Sequence, residues 1–108
     1  MALVIASWDL PAQDKLEEYG QKAASSWIPT IMQQPGVKEF RAYRTAYGAS
    51  PQVMVHTEFE TLAAAQAWIS SEAWANLIAD LRALGCPNLT FEIWDASPIV
   101  PDPIKAAA

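Results

Sequence analysis

Residues 51–85 read PQVMVHTEFETLAAAQAWISSEAWANLIADLRALG, and two different periods meet within them. From Gln52 to Phe59 the side chains alternate. Val53, Val55, Thr57 and Phe59 form one row, and Gln52, Met54, His56 and Glu58 the other. That is the period of a strand with one apolar face. Further along, the spacing widens to the helical period. Trp74, Leu77, Ile78, Leu81 and Leu84 fall at i, i+3, i+4, i+7 and i+10, a single stripe. Ser70 and Ser71 interrupt the pattern just before it, and a serine hydroxyl there accepts from the free amides of a new helix. The stretch therefore predicts a strand and then a helix split in two, over about 61–69 and 72–84. Gly85 suits the left-handed position that ends such a helix.

Working outward, the rest of the chain supplies the same unit once more. Ala2 to Leu10 is a predicted strand, apolar on both rows and so expected to be central and covered on both sides. Asp9-Leu10-Pro11 turns into a helix in which Leu16, Tyr19, Ala23 and Trp27 share a face. Pro29 is expected to kink or restart that helix, since it cannot donate to the ladder, and Pro35-Gly36 to end it. Val37 to Thr45 is the most polar strand, as suits a sheet edge. A hairpin loop, Tyr47 to Pro51, joins it to the strand of the opening stretch. Symmetric pairing across that loop would set Arg44 opposite Met54, Ala42 opposite His56 and Phe40 opposite Glu58. Asn88 to Ala96 is the last strand, with Leu89, Phe91 and Ile93 as its apolar row. Residues 1–97 then form one domain, and 98–108, with Pro98, Pro101 and Pro103, an extended Pro-rich tail.

This order, βαββαβ, predicts an α+β fold. A four-stranded antiparallel sheet carries helices on one face only. The other face is expected to hold Met54, Val4, Trp8, Phe40 and Trp94, an apolar patch larger than a monomer tolerates. A second copy packed face to face covers it, so the sequence predicts an isologous homodimer.

Composition narrows the partners. Of 108 residues 52% are hydrophobic and 18% charged, which excludes a disordered chain. The net charge of −5, with scattered Lys and Arg, argues against nucleic acid and anionic membranes. No apolar run has the length of a membrane span. The start, MALVIASWDLP, reads as a strand rather than a signal peptide, and a cytoplasmic location is expected. The single cysteine, Cys86, has no intrachain partner and reads as a half-buried linker residue. One histidine, one cysteine and dispersed carboxylates make no metal site, and the four glycines form no phosphate-cradling loop.

The stretches QPGVKEFRAYR (34–44) and VMVHTEFETLAAAQAWISSEAWANLIADLRAL (53–84) resemble the dimeric α/β-barrel superfamily. Its members include antibiotic-biosynthesis monooxygenases and the stress-responsive barrel proteins with their polyketide-cyclase relatives. The resemblance spans residues 1–97. It implies a ferredoxin-like subunit, a homodimeric barrel, a hydrophobic pocket between helices and sheet, and work without a metal or organic cofactor. The catalytic residues of relatives do not carry over. Haem-degrading members use an asparagine late in the first strand, a tryptophan and a helical histidine; this chain offers Ser7 and Trp8 on the strand, Trp68 or Trp74 as the tryptophan, and no helical histidine. The tyrosine and histidine of the cyclase type fall on Trp68 and Trp74, whose indoles exchange no proton at neutral pH.

His56 is the one side chain whose ordinary pKa suits proton transfer near neutrality. With Glu58 on its row and Arg44 diagonal across the hairpin, it could form an acid-base site. The row parity favours a place in the dimer interface instead, unless a bulge turns it towards the pocket. Trp27, Trp68 and Trp74 are candidates to bind a flat aromatic molecule by stacking and burial. Trp74, at the centre of its stripe, doubles as core. Arg41 and Tyr43, placed by parity on the helix side of the edge strand, could hold an anionic or phenolic group, against a plainer reading as solvated edge residues. The expected function is binding of a hydrophobic or aromatic small molecule, with cofactor-independent monooxygenase- or isomerase-like chemistry. The alternative is a non-catalytic dimeric binding or accessory protein with a filled core.

Overall fold

The computed structural model describes residues 1–107. Four strands are laid down in the order β2-β3-β1-β4. They are β1 (Ala2–Trp8), β2 (Val37–Arg44), β3 (Val53–Phe59) and β4 (Thr90–Asp95). All neighbours run antiparallel. The most polar strand, β2, is at an edge and the doubly apolar β1 is central, as alternation predicts. Between β1 and β2 run α1 (Leu16–Lys22), a π-helical turn (Ala23–Trp27) and α2 (Ile28–Met32). Between β3 and β4 lie α3 (Leu62–Ile69) and α4 (Glu72–Ala83).

The split second helix has the caps its sequence calls for. Thr61 Oγ1 accepts from the Ala64 amide and Ser71 Oγ from the Trp74 amide, each at 3.1 Å. Each hydroxyl thereby satisfies one free donor of the helix it opens. At the far end Gly85 sits at φ +81°. The Cys86 amide donates to the Leu81 carbonyl and the Gly85 amide to that of Arg82, the paired bonds of a Schellman ending. Trp74, Leu77, Leu81 and Leu84 are buried, so the stripe does face the core.

The α-helix restarts at Ile28 with Pro29 in its first turn, as expected, and the chain does not break there. The preceding turn widens, and the Ile28 amide donates to the Ala23 carbonyl five residues back. A proline lacks the amide that would serve the carbonyl four residues behind it. Widening the turn re-routes the ladder around that missing donor.

Two expectations about faces are corrected. The hairpin register is one residue away from the symmetric pairing: Arg44 faces Val53, Ala42 faces Val55 and Arg41 faces His56. In a strand such a shift exchanges the two faces. The even row of β1, Ala2, Val4, Ala6 and Trp8, pairs with Phe59, Thr57, Val55 and Val53 and is buried beneath the helices. Val4, Trp8 and Phe40 therefore belong to the helix side. The open face carries Leu3, Ile5 and Ser7 of β1 beside Glu58, His56 and Met54 of β3. The edge residues Glu39, Arg41 and Tyr43 and, through its pairing with Leu3, Trp94 lie on it too. A shift between Val37 and Glu39 marks the one irregularity in these ladders, at the start of β2 and away from His56. Beyond β4 the described residues of the tail hold no helix or strand.

Candidate functional site

A cavity of about 250 Å³ opens between the first helical segment and the sheet. Its floor is the helix-side rows of β1 and β3, including Val4, Trp8, Val53 and Thr57. Its roof comes from Tyr19, Ala23, Trp27 and Ile31, and Trp68, Trp74 and Leu77 of the split helix close one end. The outer side is the edge strand, where Phe40, Ala42 and Arg44 border the opening. The π-helical turn sits over this space, and both its end residues, Ala23 and Trp27, line it.

Hydrogen bonds and ring packing fix the aromatic walls. Trp27 Nε1 donates to Asp80 Oδ2 at 3.1 Å, and Lys22 Nζ lies 3.7 Å from the same oxygen. Tyr19 packs edge-to-face on Trp27 with ring centroids 5.5 Å apart, and Trp68 on Trp74 at the same distance. Trp74 in turn meets Phe91 at 5.1 Å. Such T-shaped pairs align ring edges with ring faces and hold the indoles in place. Trp8 Nε1 donates to Tyr19 Oη at 2.9 Å, joining floor to roof. Burial pushes the Tyr19 phenol above its ordinary pKa, against smaller opposing effects of the Trp8 bond and of the Arg44 charge. The hydroxyl is therefore protonated at neutral pH and can donate.

Of the expected site residues, Trp27, Trp68 and Trp74 are brought together in one pocket. Tyr43 lines the same pocket from the edge strand, whereas His56 and Arg41 do not. His56 lies on the open face, directly beside Arg41, with Nε2 buried and without a hydrogen-bond partner. Arg41 is on that face too, with its Nε donating to Glu39 Oε1 at 3.3 Å. Tyr43 borders the cavity, but its ring lies 5.1 Å from that of His56. The one-residue register shift is the physical reason, because it moves Arg41 out of the helix side and Arg44 into it. Arg44 is accordingly not the diagonal partner of His56. Cys86 is buried rather than half-buried, and desolvation pushes its thiol pKa up, which suits a packing role.

Sequence reasoning passed over Tyr19, Trp8, Phe40 and Arg44 as pocket residues. A signal for Trp8 was present in the alternation of β1, since it shares a row with the small residues Ala2 and Ala6 that pack under helices. Among the described residues, no three His, Cys, Asp or Glu side chains lie together, and no helix is long and apolar enough to cross a membrane.

The model of a family of antibiotic biosynthesis monooxygenases matches residues 1–80. No curated protein matches the chain significantly. Among crystal structures, a Deinococcus radiodurans protein assigned as an antibiotic biosynthesis monooxygenase superposes with a TM-score of 0.78 at 12% identity, covering 100% of both chains. HapK from Hahella chejuensis gives 0.71 at 14% identity over 99% of this chain and 100% of its own. A variant of MhuD, crystallised with two manganese protoporphyrin IX bound per active site, gives 0.64 at 22% identity over 89% and 94%. At these identities the likeness to each is one of fold.

Proposed function

The chain belongs to the antibiotic biosynthesis monooxygenase family, and on that premise we propose that it binds one flat, hydrophobic or aromatic small molecule between its helices and its sheet. The observation that carries this reading is the cavity of about 250 Å³, walled almost wholly by apolar and aromatic side chains. A well-packed core leaves few voids larger than a water molecule. A space of this size among five aromatic rings held by hydrogen bonds or ring packing suits a fused-ring ligand rather than a filled core.

The chemistry in reach is limited by what lines the walls. No histidine, aspartate, glutamate or lysine does so. A ligand oxidised or isomerised there would bring its own reactivity, with the protein excluding water and fixing orientation, as in a cofactor-independent oxygenase or isomerase. The same absence favours the second reading, a binding protein without catalysis. MhuD binds a manganese porphyrin, whereas no imidazole or thiol lines this pocket to ligate the iron of one.

The protein is further proposed to act as a homodimer. The open sheet face exposes Trp94 and Tyr43 at 54% and 43% beside the half-buried Leu3, Ile5 and Met54, and holds the unpartnered His56 Nε2. A second copy laid on this face would cover the apolar groups and offer donors to the imidazole.

Tryptophan fluorescence tests the pocket. Titration with flat phenolic and quinone-like compounds is expected to give saturable quenching, one site per subunit, by one chemical class. Trp27→Phe should reduce the amplitude. Absence of quenching by every compound in a folded sample would end the pocket reading.

A further inference from the structure

Two uncommitted polar groups of the pocket, the Tyr19 hydroxyl and the Arg44 guanidinium, belong to one end of it. Tyr19 accepts from Trp8 and donates to nothing among the described residues, so its O–H proton is free. Arg44, Val53 and Trp8 form one cross-strand row over β2, β3 and β1, on the helix side. Two strand spacings, about 10 Å, separate the ends of that row, a span that an extended arginine side chain and the facing indole reach into from both sides. Arg44 borders the cavity, and its charge is felt at the Tyr19 phenol. The ion pairs among the described residues, Lys22 with Asp80 and Arg41 with Glu39, leave Arg44 without a carboxylate. A free O–H and an unpaired guanidinium thus converge where no acidic side chain lines the wall.

Two donors without a matching acid ask for an acceptor that carries negative charge. Hydrogen bonds from a phenol and a guanidinium to an anionic oxygen are the strong, charge-assisted kind, and the apolar walls beyond them accept only a ring system. We infer that the pocket is selective for a flat aromatic anion, a carboxylate or phenolate, whose oxygen sits between Tyr19 Oη and the Arg44 guanidinium. This rests on the pocket reading above and adds an orientation to it: charged oxygen at the Arg44 end, rings towards Trp68 and Trp74. Trp8 acts as a positioning residue, because the bond it donates occupies the phenol oxygen and leaves the hydroxyl hydrogen for the ligand.

Calorimetric titration with three ligands of one shape tests this: 2-naphthoate, naphthalene and the 2-naphthylmethylammonium cation, each against wild type, Tyr19→Phe and Arg44→Gln. Arg44 is exposed and Tyr19→Phe removes a single oxygen, so both variants keep the fold, which circular dichroism checks. Wild type is expected to bind naphthoate at least about tenfold more tightly than naphthalene, the worth of one charge-assisted hydrogen bond, with the cation weakest. Each variant should lose about tenfold for naphthoate and stay within about twofold for naphthalene. Equal binding of naphthoate and naphthalene by wild type overturns the inference while leaving the pocket intact. So does a preference that survives both substitutions. If none of the three binds, the pocket reading fails and takes the inference with it.

Discussion

Gly36 shows how much one residue can be asked to do. It lies at φ +81°, where a side chain is strained, and a Cβ built on it would fall 2.8 Å from the Cβ of Ala64. The close approach lets the turn before β2 rest on α3, and the Glu60 amide donates to the Gly36 carbonyl at 2.8 Å beside it. Gly48 has almost the same backbone, φ +79°, with nothing within 4 Å. The pair separates conformation from packing. Gly48→Ala is expected to cost about 1 kcal/mol, the left-handed penalty alone. Gly36→Ala should cost about 2–4 kcal/mol, since overpacking adds to that penalty. Urea unfolding of the two variants measures the difference, and equal losses would show that Ala64 gives way freely. The sequence marked Pro35-Gly36 as a stop but contained nothing about Ala64, which is remote in the chain.

At the scale of elements, the loops at one end of the sheet are tied together by Asp9, just past β1. Its Oδ2 accepts from Ser50 Oγ at 2.7 Å and Asn88 Nδ2 at 2.6 Å, and its Oδ1 from the Gln52 amide at 2.9 Å. The hairpin loop and the connection into β4 thus meet on one carboxylate. Asn88 is itself held at φ +59°, a conformation asparagine tolerates better than most residues. The Asn88 and Ser50 hydrogen bonds, with a smaller one from the Gln52 amide, hold the Asp9 pKa below its ordinary value. A carboxylate depressed in the folded state stabilises at pH above its unfolded pKa. That contribution is lost as pH falls through the folded value. Asp9→Ala is therefore expected to lower the urea midpoint at neutral pH, and the gap to wild type should close as pH falls below the ordinary aspartate range and through the depressed folded value. A gap of constant size over that fall would mean the hydrogen bonds hold equally well to the protonated acid. The first helix makes a related point. Pro29 reads from the sequence as a kink or restart, but how the helix passes it depends on what packs around it, and here a wide turn roofs a cavity before the α-helix restarts.

For the whole molecule, the decisive feature is that the sheet has one face under helices and one open. The open face joins Ile5, Met54 and Trp94 to His56, whose Nε2 has no partner among the described residues. Light scattering of wild type is expected to give the mass of two chains. Ile5→Glu sets a second carboxylate opposite Glu92 in the ladder and Trp94→Glu removes the most exposed ring on that face. Both variants should shift to the mass of one chain with an unchanged circular dichroism spectrum. A wild type that stays monomeric at every concentration would show that the exposed rings are tolerated in water.

Strand alternation, the helical stripe ending at Leu84, the serine and glycine caps and the polar character of β2 are all local properties. Each is decided within a few residues, so the sequence by itself determined the elements, their order and the α+β architecture. It also named three of the tryptophans that meet in the pocket, because buried aromatic rings near helix ends are legible from spacing. Pairing register is different in kind. It depends on how a loop closes, a slip of one residue leaves every propensity unchanged, and yet it exchanges Arg41 for Arg44 on the pocket side. The same holds for Tyr19, whose partner Trp8 lies eleven residues away on another element. Only the tertiary structure decided which polar groups share the cavity, because their meeting is set by the packing of helix on sheet and by no pattern along the chain.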